Sequence, residues 1–238
     1  FYVSGATDCT GLKVKLIGDK VNYDEDAQLF IDAVTTLTVT QEKAIDNLVI
    51  GLKNNGTWDK YYVIYPIIGR TASSHKWNLK DPRDLDAAFR LTYTGTTSHS
   101  SLGVSTSVGG FAANTNFNPV TESLSATSTH ASVYIQTDPG NLSTFLSSGE
   151  QTANSLLLGQ FQGGARTLGQ VASLTNADYA PDSGTVTSDG YISISTNGNR
   201  DAQNYINGAA NGSTSVSLAG SGIIDNGATI NLFGSSAT

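Results

Sequence analysis

The feature that most constrains this chain is a change of pattern near residue 90. Upstream, apolar residues recur at helical spacing and charges are plentiful; downstream, short apolar runs are divided by Gly, Ser, Thr and Asn. Residues 1–90 carry 12 acidic and 11 basic side chains, whereas residues 91–238 carry 8 and 2, the latter being Arg166 and Arg200. A helical period does not suit a sheet face, nor an alternating period a helix, so the break calls for a helical preface followed by a β domain. The stretch from His75 to Leu91 is the hinge between them, with six charged side chains between Lys80 and Arg90.

In the preface, Leu12-Lys13-Val14-Lys15-Leu16-Ile17-Gly18 alternates apolar and basic residues and reads as a strand whose lysines blunt an edge. Asn22-Tyr23-Asp24-Glu25 fits a helix start, and Ala27, Phe30, Ile31 and Val34 predict a helix from about 24 to 34. Thr38-Val39-Thr40-Gln41 is a second start. Ala44, Ile45, Leu48, Val49 and Leu52 form a one-face stripe, and Asn54-Asn55-Gly56 supplies a left-handed stop. The run Trp58, Tyr61, Tyr62, Ile64, Tyr65 and Ile67 is expected to pack against the domain that follows.

Beyond the hinge, Phe89–Tyr93 alternates, Thr94-Gly95-Thr96-Thr97 turns, and His99–Val104 returns. Further strands are expected at Ala131–Gln136, Ser155–Phe161, Gly190–Ser195, Ala202–Ile206, Ser213–Leu218 and Thr229–Phe233. Asn197-Gly198, Asn207-Gly208, Asn211-Gly212 and Asn226-Gly227 read as hairpin turns. Many short strands at regular spacing predict a mainly β sandwich or jelly roll, with the loop-rich residues 137–185 at one edge.

Composition excludes several partners. Only 14% of residues are charged and the formal net charge is −7, so no basic track exists for nucleic acid or an anionic membrane surface. No run approaches the ~18 apolar residues of a membrane span. Cys9 is the single cysteine, which rules out an internal disulfide and a cysteine metal cluster and reads as a small apolar filler. A chain without Met that opens on Phe1 is expected to be a processed product or part of a longer one.

Candidate chemistry is sparse. Asp81, Asp84 and Asp86 are close enough to hint at a calcium loop, but the Gly and Glu that an EF-hand needs at its sixth and twelfth positions are replaced by Asp86 and Thr92. Arg83 and Arg90 point instead to a structural charge network. The acids of the β region, Glu122, Asp138, Glu150, Asp178, Asp182, Asp189, Asp201 and Asp225, offer no Glu-x-Asp pair of the kind a retaining glycosidase takes from one strand. His75, His99 and His130 show neither a nucleophile elbow nor zinc-ligand spacing. No catalytic residue, metal or cofactor is therefore expected. Tyr179, Tyr191, Asn197, Asn199, Arg200 and Tyr205 have the residue types that hold sugars, but Tyr191 and Tyr205 are expected to fill the interior and Asn to serve turns. The ligand-binding residues stay unassigned.

A resemblance runs through the first half. It is carried by Ala44-Ile45-Asp46-Asn47-Leu48-Val49-Ile50-Gly51-Leu52-Lys53 with Trp58, Tyr65-Pro66 and Gly69, and by the stretch from Thr71 through Trp77-Asn78-Leu79-Lys80-Asp81-Pro82-Arg83 to Leu91. His99-Ser100-Ser101, Ala113-Asn114-Thr115-Asn116-Phe117-Asn118-Pro119 and Ser128-Thr129-His130 complete it. These residues resemble a group of tailed-phage virion structural proteins in which a short helical lead-in precedes a concanavalin A-like, laminin G-type β-sandwich. The resemblance implies a docking segment over residues 1–70 and a jelly-roll sandwich over 71–238 that lacks its final strand. It further implies a non-enzymatic virion protein (head fibre, spike, decoration or tail appendage) that contacts other virion proteins as a homo-oligomer, with a trimer as the expectation. The alternative is a lectin-like module recognising host surface glycan.

Overall fold

The computed structural model describes residues 22–106, 113–125, 128–137, 143–148, 155–161, 166–173, 189–196, 202–215 and 229–234. The expected strand at 12–18, Cys9, Tyr179, Asn197, Asn199, Arg200 and the turns at 197–198 and 226–227 lie outside the described residues.

Both expected helices form: α1 spans Glu25–Val34 and α2 spans Val39–Asn54. α1 is capped by Asp24 rather than Asn22. The Asp24 carboxylate accepts from the Asp26 N–H at 3.0 Å and from Lys53 Nζ at 2.6 Å, while its own N–H donates to Asp46 Oδ1 at 2.7 Å. One side chain thus starts α1 and ties it to α2, which an isolated cap at Asn22 would not do. α2 begins with a full capping box, Thr38 and Gln41 each holding the other's backbone N–H. Thr38→Ala should lower stability by about 1 kcal/mol, read as a shift in urea midpoint at constant slope.

Ala27, Phe30 and Val34 of α1 meet Ile45 and Val49 of α2, and Trp58 and Leu79 close the cluster. The expected α2 stripe is wider than what is buried: Ala44 is exposed and Leu48 is 39% exposed. The reason is geometric, since α2 has only α1 and one extended segment to lie on. That segment, residues 61–68, separates two cores. Val63, Tyr65 and Ile67 pack against the β-domain core, while Ile64 and Ile68 pack against the helical one. Through Val63, Ile64 and Tyr65 successive side chains go to opposite sides, so one stretch of chain serves both. Of the aromatic run, Tyr65 and Ile67 pack against the β-domain core as expected, whereas Trp58 and Ile64 join the helical side and Tyr62 is 44% exposed.

The rest is mainly β and antiparallel throughout the described strands. In chain order these are β1 (Thr92–Tyr93), β2 (Thr97–Ser100), β3 (Gly103–Thr106), β4 (Ala113–Asn114), β5 (His130–Ile135) and β6 (Ser143–Ser147). They continue with β7 (Ser155–Phe161), β8 (Arg166–Ser173), β9 (Gly190–Thr196), β10 (Ala202–Ile206), β11 (Ala209–Ser215) and β12 (Asn231–Gly234). One sheet runs β1-β4-β12-β6-β7-β8, a second β11-β10-β9-β5, and β2-β3 stand as a separate hairpin. Ala113 and Leu232 from the first sheet and Ala131, Ile192 and Ile194 from the second share one core with Leu91, Phe117 and Ile230.

Several expectations change. Phe89 is not in a strand. It closes the 3-10 turn Asp86–Ala88 with φ 58, and β1 is only two residues long. The hairpin turns at Ser101-Leu102, because Ser100 pairs with Gly103, and not at 94–97. Asn207-Gly208 does turn as expected, with φ 49 and 81 joining Ile206 to Ala209 in the two-positive-φ form that matches strand twist. Asn211-Gly212 instead lies within β11, where Asn211 pairs with Asn204. Within 137–185 the described residues form β6, β7 and β8, and β8 takes the sheet edge.

Candidate functional site

The hinge residues assemble into a structural joint. Asn78, 1% exposed, accepts from the Ile64 and Lys80 N–H groups at 3.0 and 3.1 Å and donates to the Ala88 carbonyl at 3.1 Å. Leu79 N–H donates to Ile64 O and Leu91 N–H to Lys76 O, so the linking segment, the hinge and the first strand are stitched by backbone as well. The three acids that hinted at calcium are each paired with a cation. Arg83 grips Asp81 through Nε and Nη2, Arg90 reaches Asp84 and Asp86, and Lys76 reaches Asp84 at 2.6 Å. Arg83 beside Asp81 and Lys76 beside Asp84 hold both carboxyls below the usual aspartate range. Lys80 lies 3.8 Å over the Trp58 ring and donates to its carbonyl, anchoring the charged stretch to the helical core.

The histidines pair in an unexpected way. His75, 1% exposed, and His99 on β2 are joined Nδ1 to Nδ1 at 3.1 Å. The Arg70 N–H donates to His75 Nε2, which assigns the His75 proton to Nδ1. His75 Nδ1–H then donates to His99 Nδ1, leaving His99 Nε2–H to donate to Thr97 Oγ1 at 3.0 Å. The Tyr93 ring stands edge-on to His99 with centroids 4.6 Å apart. Both rings are used as neutral connectors that hold the β2–β3 hairpin to the body. His130 Nδ1 lies 2.7 Å from Ser195 Oγ across the β5–β9 pair, but neither strand carries a carboxylate to orient the imidazole for nucleophilic work.

Of the β-region acids, only Glu122 and Asp189 fall among the described residues. Among the described residues no group of three His, Cys, Asp or Glu could hold a metal ion, and no helix is long and apolar enough to cross a membrane.

Of the sugar-type residues, Tyr191 and Tyr205 are among the described ones, and they do not fill the interior as expected. The inward positions of the second sheet are Ala131, Val133 and Ile135 on β5 and Ile192 and Ile194 on β9. Tyr134 and Tyr191 therefore face outward; they pair across the strands and are 69% and 40% exposed. Tyr205 pairs with Ser193, which places it on the same outer face one register step away. Tyr61 arrives from the linking segment, its ring edge-on to His130 at 6.5 Å, and burial followed by the nearby Tyr191 raises its hydroxyl pKa.

Sequence reasoning had singled out Tyr191 and Tyr205 but set them inside. Tyr134 was legible, because in Ala131-Ser132-Val133-Tyr134-Ile135 it alternates with the apolar set. The arrival of Tyr61 had no local signal. Comparison with protein-family models, with curated proteins and with solved structures finds no match to this chain.

Proposed function

We propose that this chain is a non-enzymatic structural protein of a phage virion, displaying its β domain at the particle surface and contacting other virion proteins as a homo-oligomer, with a trimer as the working assembly. The β domain is assigned as a concanavalin A-like jelly roll; two antiparallel sheets contributing to one core support that assignment. The observation that carries the reading is the resemblance borne by residues 44–91, together with what those residues do. The stretch richest in charge is folded on itself by ion pairs, while Asn78, Lys80 and the backbone of Lys76 tie it to the linking segment, to Trp58 of the helical core and to Leu91 at the start of the β domain. That is the work of a joint in a displayed module.

Proteomic analysis of density-purified phage particles from the native source is the test. Peptides from this chain should co-purify with the capsid and tail proteins at a constant ratio through the gradient. Their confinement to the soluble lysate would overturn the proposal. A second reading, recognition of host glycan, is favoured by the exposed tyrosines of the outer sheet face.

A further inference from the structure

None of β5, β9, β10 and β11 carries an Asp, Glu, Lys or Arg. Their outer face is built in cross-strand rows instead. Tyr134 and Tyr191 form one row; Ser132, Ser193 and Tyr205 the next; His130, Ser195 and Gln203 the third. Aromatic rings thus lie beside hydroxyl, amide and imidazole groups.

The composition of these rows selects the ligand. A charged partner would find no counter-ion within these four strands, and a purely apolar one would cover polar groups that then lose water without replacement. A sugar ring has both complementary surfaces: a C–H face that lies on an aromatic ring, and a rim of hydroxyls that exchange hydrogen bonds with Ser and Tyr hydroxyls. Neighbouring strands stand about 4.8 Å apart, so tyrosines on three consecutive strands, β5, β9 and β10, span roughly 10 Å. That width suits a chain of sugars better than a single ring.

We infer that the outer face of the β10-β9-β5 strands is a binding site for a neutral oligosaccharide, with Tyr134 and Tyr191 as its stacking platform and the hydroxyls of Ser132 and Tyr205 in the neighbouring row. The inference rests on the glycan-recognition reading above and gives it a location. The charge-free rows commit the site to uncharged sugars, and the exposed pair of rings commits it to the Tyr134–Tyr191 end.

The test is calorimetric titration of the full chain with maltohexaose, cellohexaose, dextran, a mannan and a rhamnan. At least one should bind. Tyr134→Ala and Tyr191→Ala should each weaken that binding about tenfold, the loss of one stacked ring, while Tyr134→Phe retains it. Both side chains are exposed, so the unfolding midpoint should stay within error of the parent and serves as the fold control.

Binding that survives the Tyr134→Ala/Tyr191→Ala double substitution would overturn the location while leaving glycan recognition standing. No binding to any of the five would overturn both. Tighter binding to a polyuronate than to every neutral chain would overturn the ligand class. Sedimentation that shows a concentration-dependent oligomer abolished by the same double substitution, without sugar binding, would assign the face to a second copy of the chain instead.

Discussion

Asn78→Ala is expected to destabilise the protein by about 3 kcal/mol or more, the largest effect of any single polar substitution in the hinge. The side chain is buried and serves three backbone groups from three parts of the chain: the Ile64 and Lys80 N–H groups and the Ala88 carbonyl. Truncation removes all three partners at once. Each buried group left unsatisfied costs about 1–3 kcal/mol, with the Ala88 carbonyl at the high end because its bond is fully buried while those from Ile64 and Lys80 are partly so.

Because the Ile64 contact holds the segment shared by both cores, the loss should lower the cooperativity of unfolding as well as its midpoint. Urea melts followed by Trp fluorescence provide the measurement, since Trp58 and Trp77 both pack at the helical core. Asn78→Asp keeps the two accepted hydrogen bonds but turns a carboxylate oxygen toward the Ala88 carbonyl, so it should also be destabilised, and more so at pH 8 than at pH 4. A change below about 1 kcal/mol for Asn78→Ala would mean that the joint is held by its backbone bonds alone.

The second large effect is a loss of stability in mild acid through the histidine pair. Burial, and after it His99, pushes the His75 pKa down to about 4, and burial lowers that of His99 as well. The geometry gives the same direction. Protonating His75 would set a second N–H against the Arg70 N–H, and protonating His99 would set one against His75 Nδ1–H.

The unfolded chain takes up these protons near the ordinary histidine value of about 6.5, whereas the folded chain does not until pH approaches 4 for His75. Stability is therefore complete above pH 6.5. It falls as pH drops through the window to about 4, by roughly 1.4 kcal/mol per pH unit for each proton bound only by the unfolded chain. Asp24, Asp81 and Asp84, lowered by Lys53, Arg83 and Lys76 respectively, lose their contribution only below about pH 4, so the two effects separate on the pH axis.

Urea midpoints measured from pH 7.5 to 4 should fall steeply in the parent and much less in His75→Gln/His99→Gln, with any slope that remains belonging to His130, whose pKa burial also lowers. Parallel curves would remove the pair as the cause.

Local pattern proved informative where one face of one element decides the outcome. The stripe Ala27, Phe30, Ile31 and Val34 is buried as read, the Thr38 box caps α2, and Asn207-Gly208 turns a hairpin. β7 and β10 begin and end where strands were expected. Reading was weaker where neighbours outside the segment choose. Asn211-Gly212 has the same turn chemistry as Asn207-Gly208, yet pairing with β10 holds it in β11. Phe89 alternates with Leu91 and Tyr93 like a strand residue, but its ring meets Phe117 at 5.1 Å and its backbone closes a turn.

The candidate site divides in the same way. The outward direction of Tyr134 and Tyr191 follows from strand parity, whereas the pairing of Tyr205 with Ser193 is a matter of register between strands, and the contact of Tyr61 with His130 joins residues 69 positions apart.

Period, capping and charge spacing act over a few residues, and they were enough to divide the chain into a helical preface and a mainly β region, to place both helices, and to pair the acids of the hinge with its bases. Contacts between distant segments alone set the place of β12 in the middle of a sheet between β4 and β6, the proton-bearing contact of two histidines 24 positions apart, and the arrival of Tyr205 and Tyr61 at the face that Tyr134 and Tyr191 present. These depend on which distant surfaces bury each other, and the free energy of that choice resides in the assembled core rather than in any one segment.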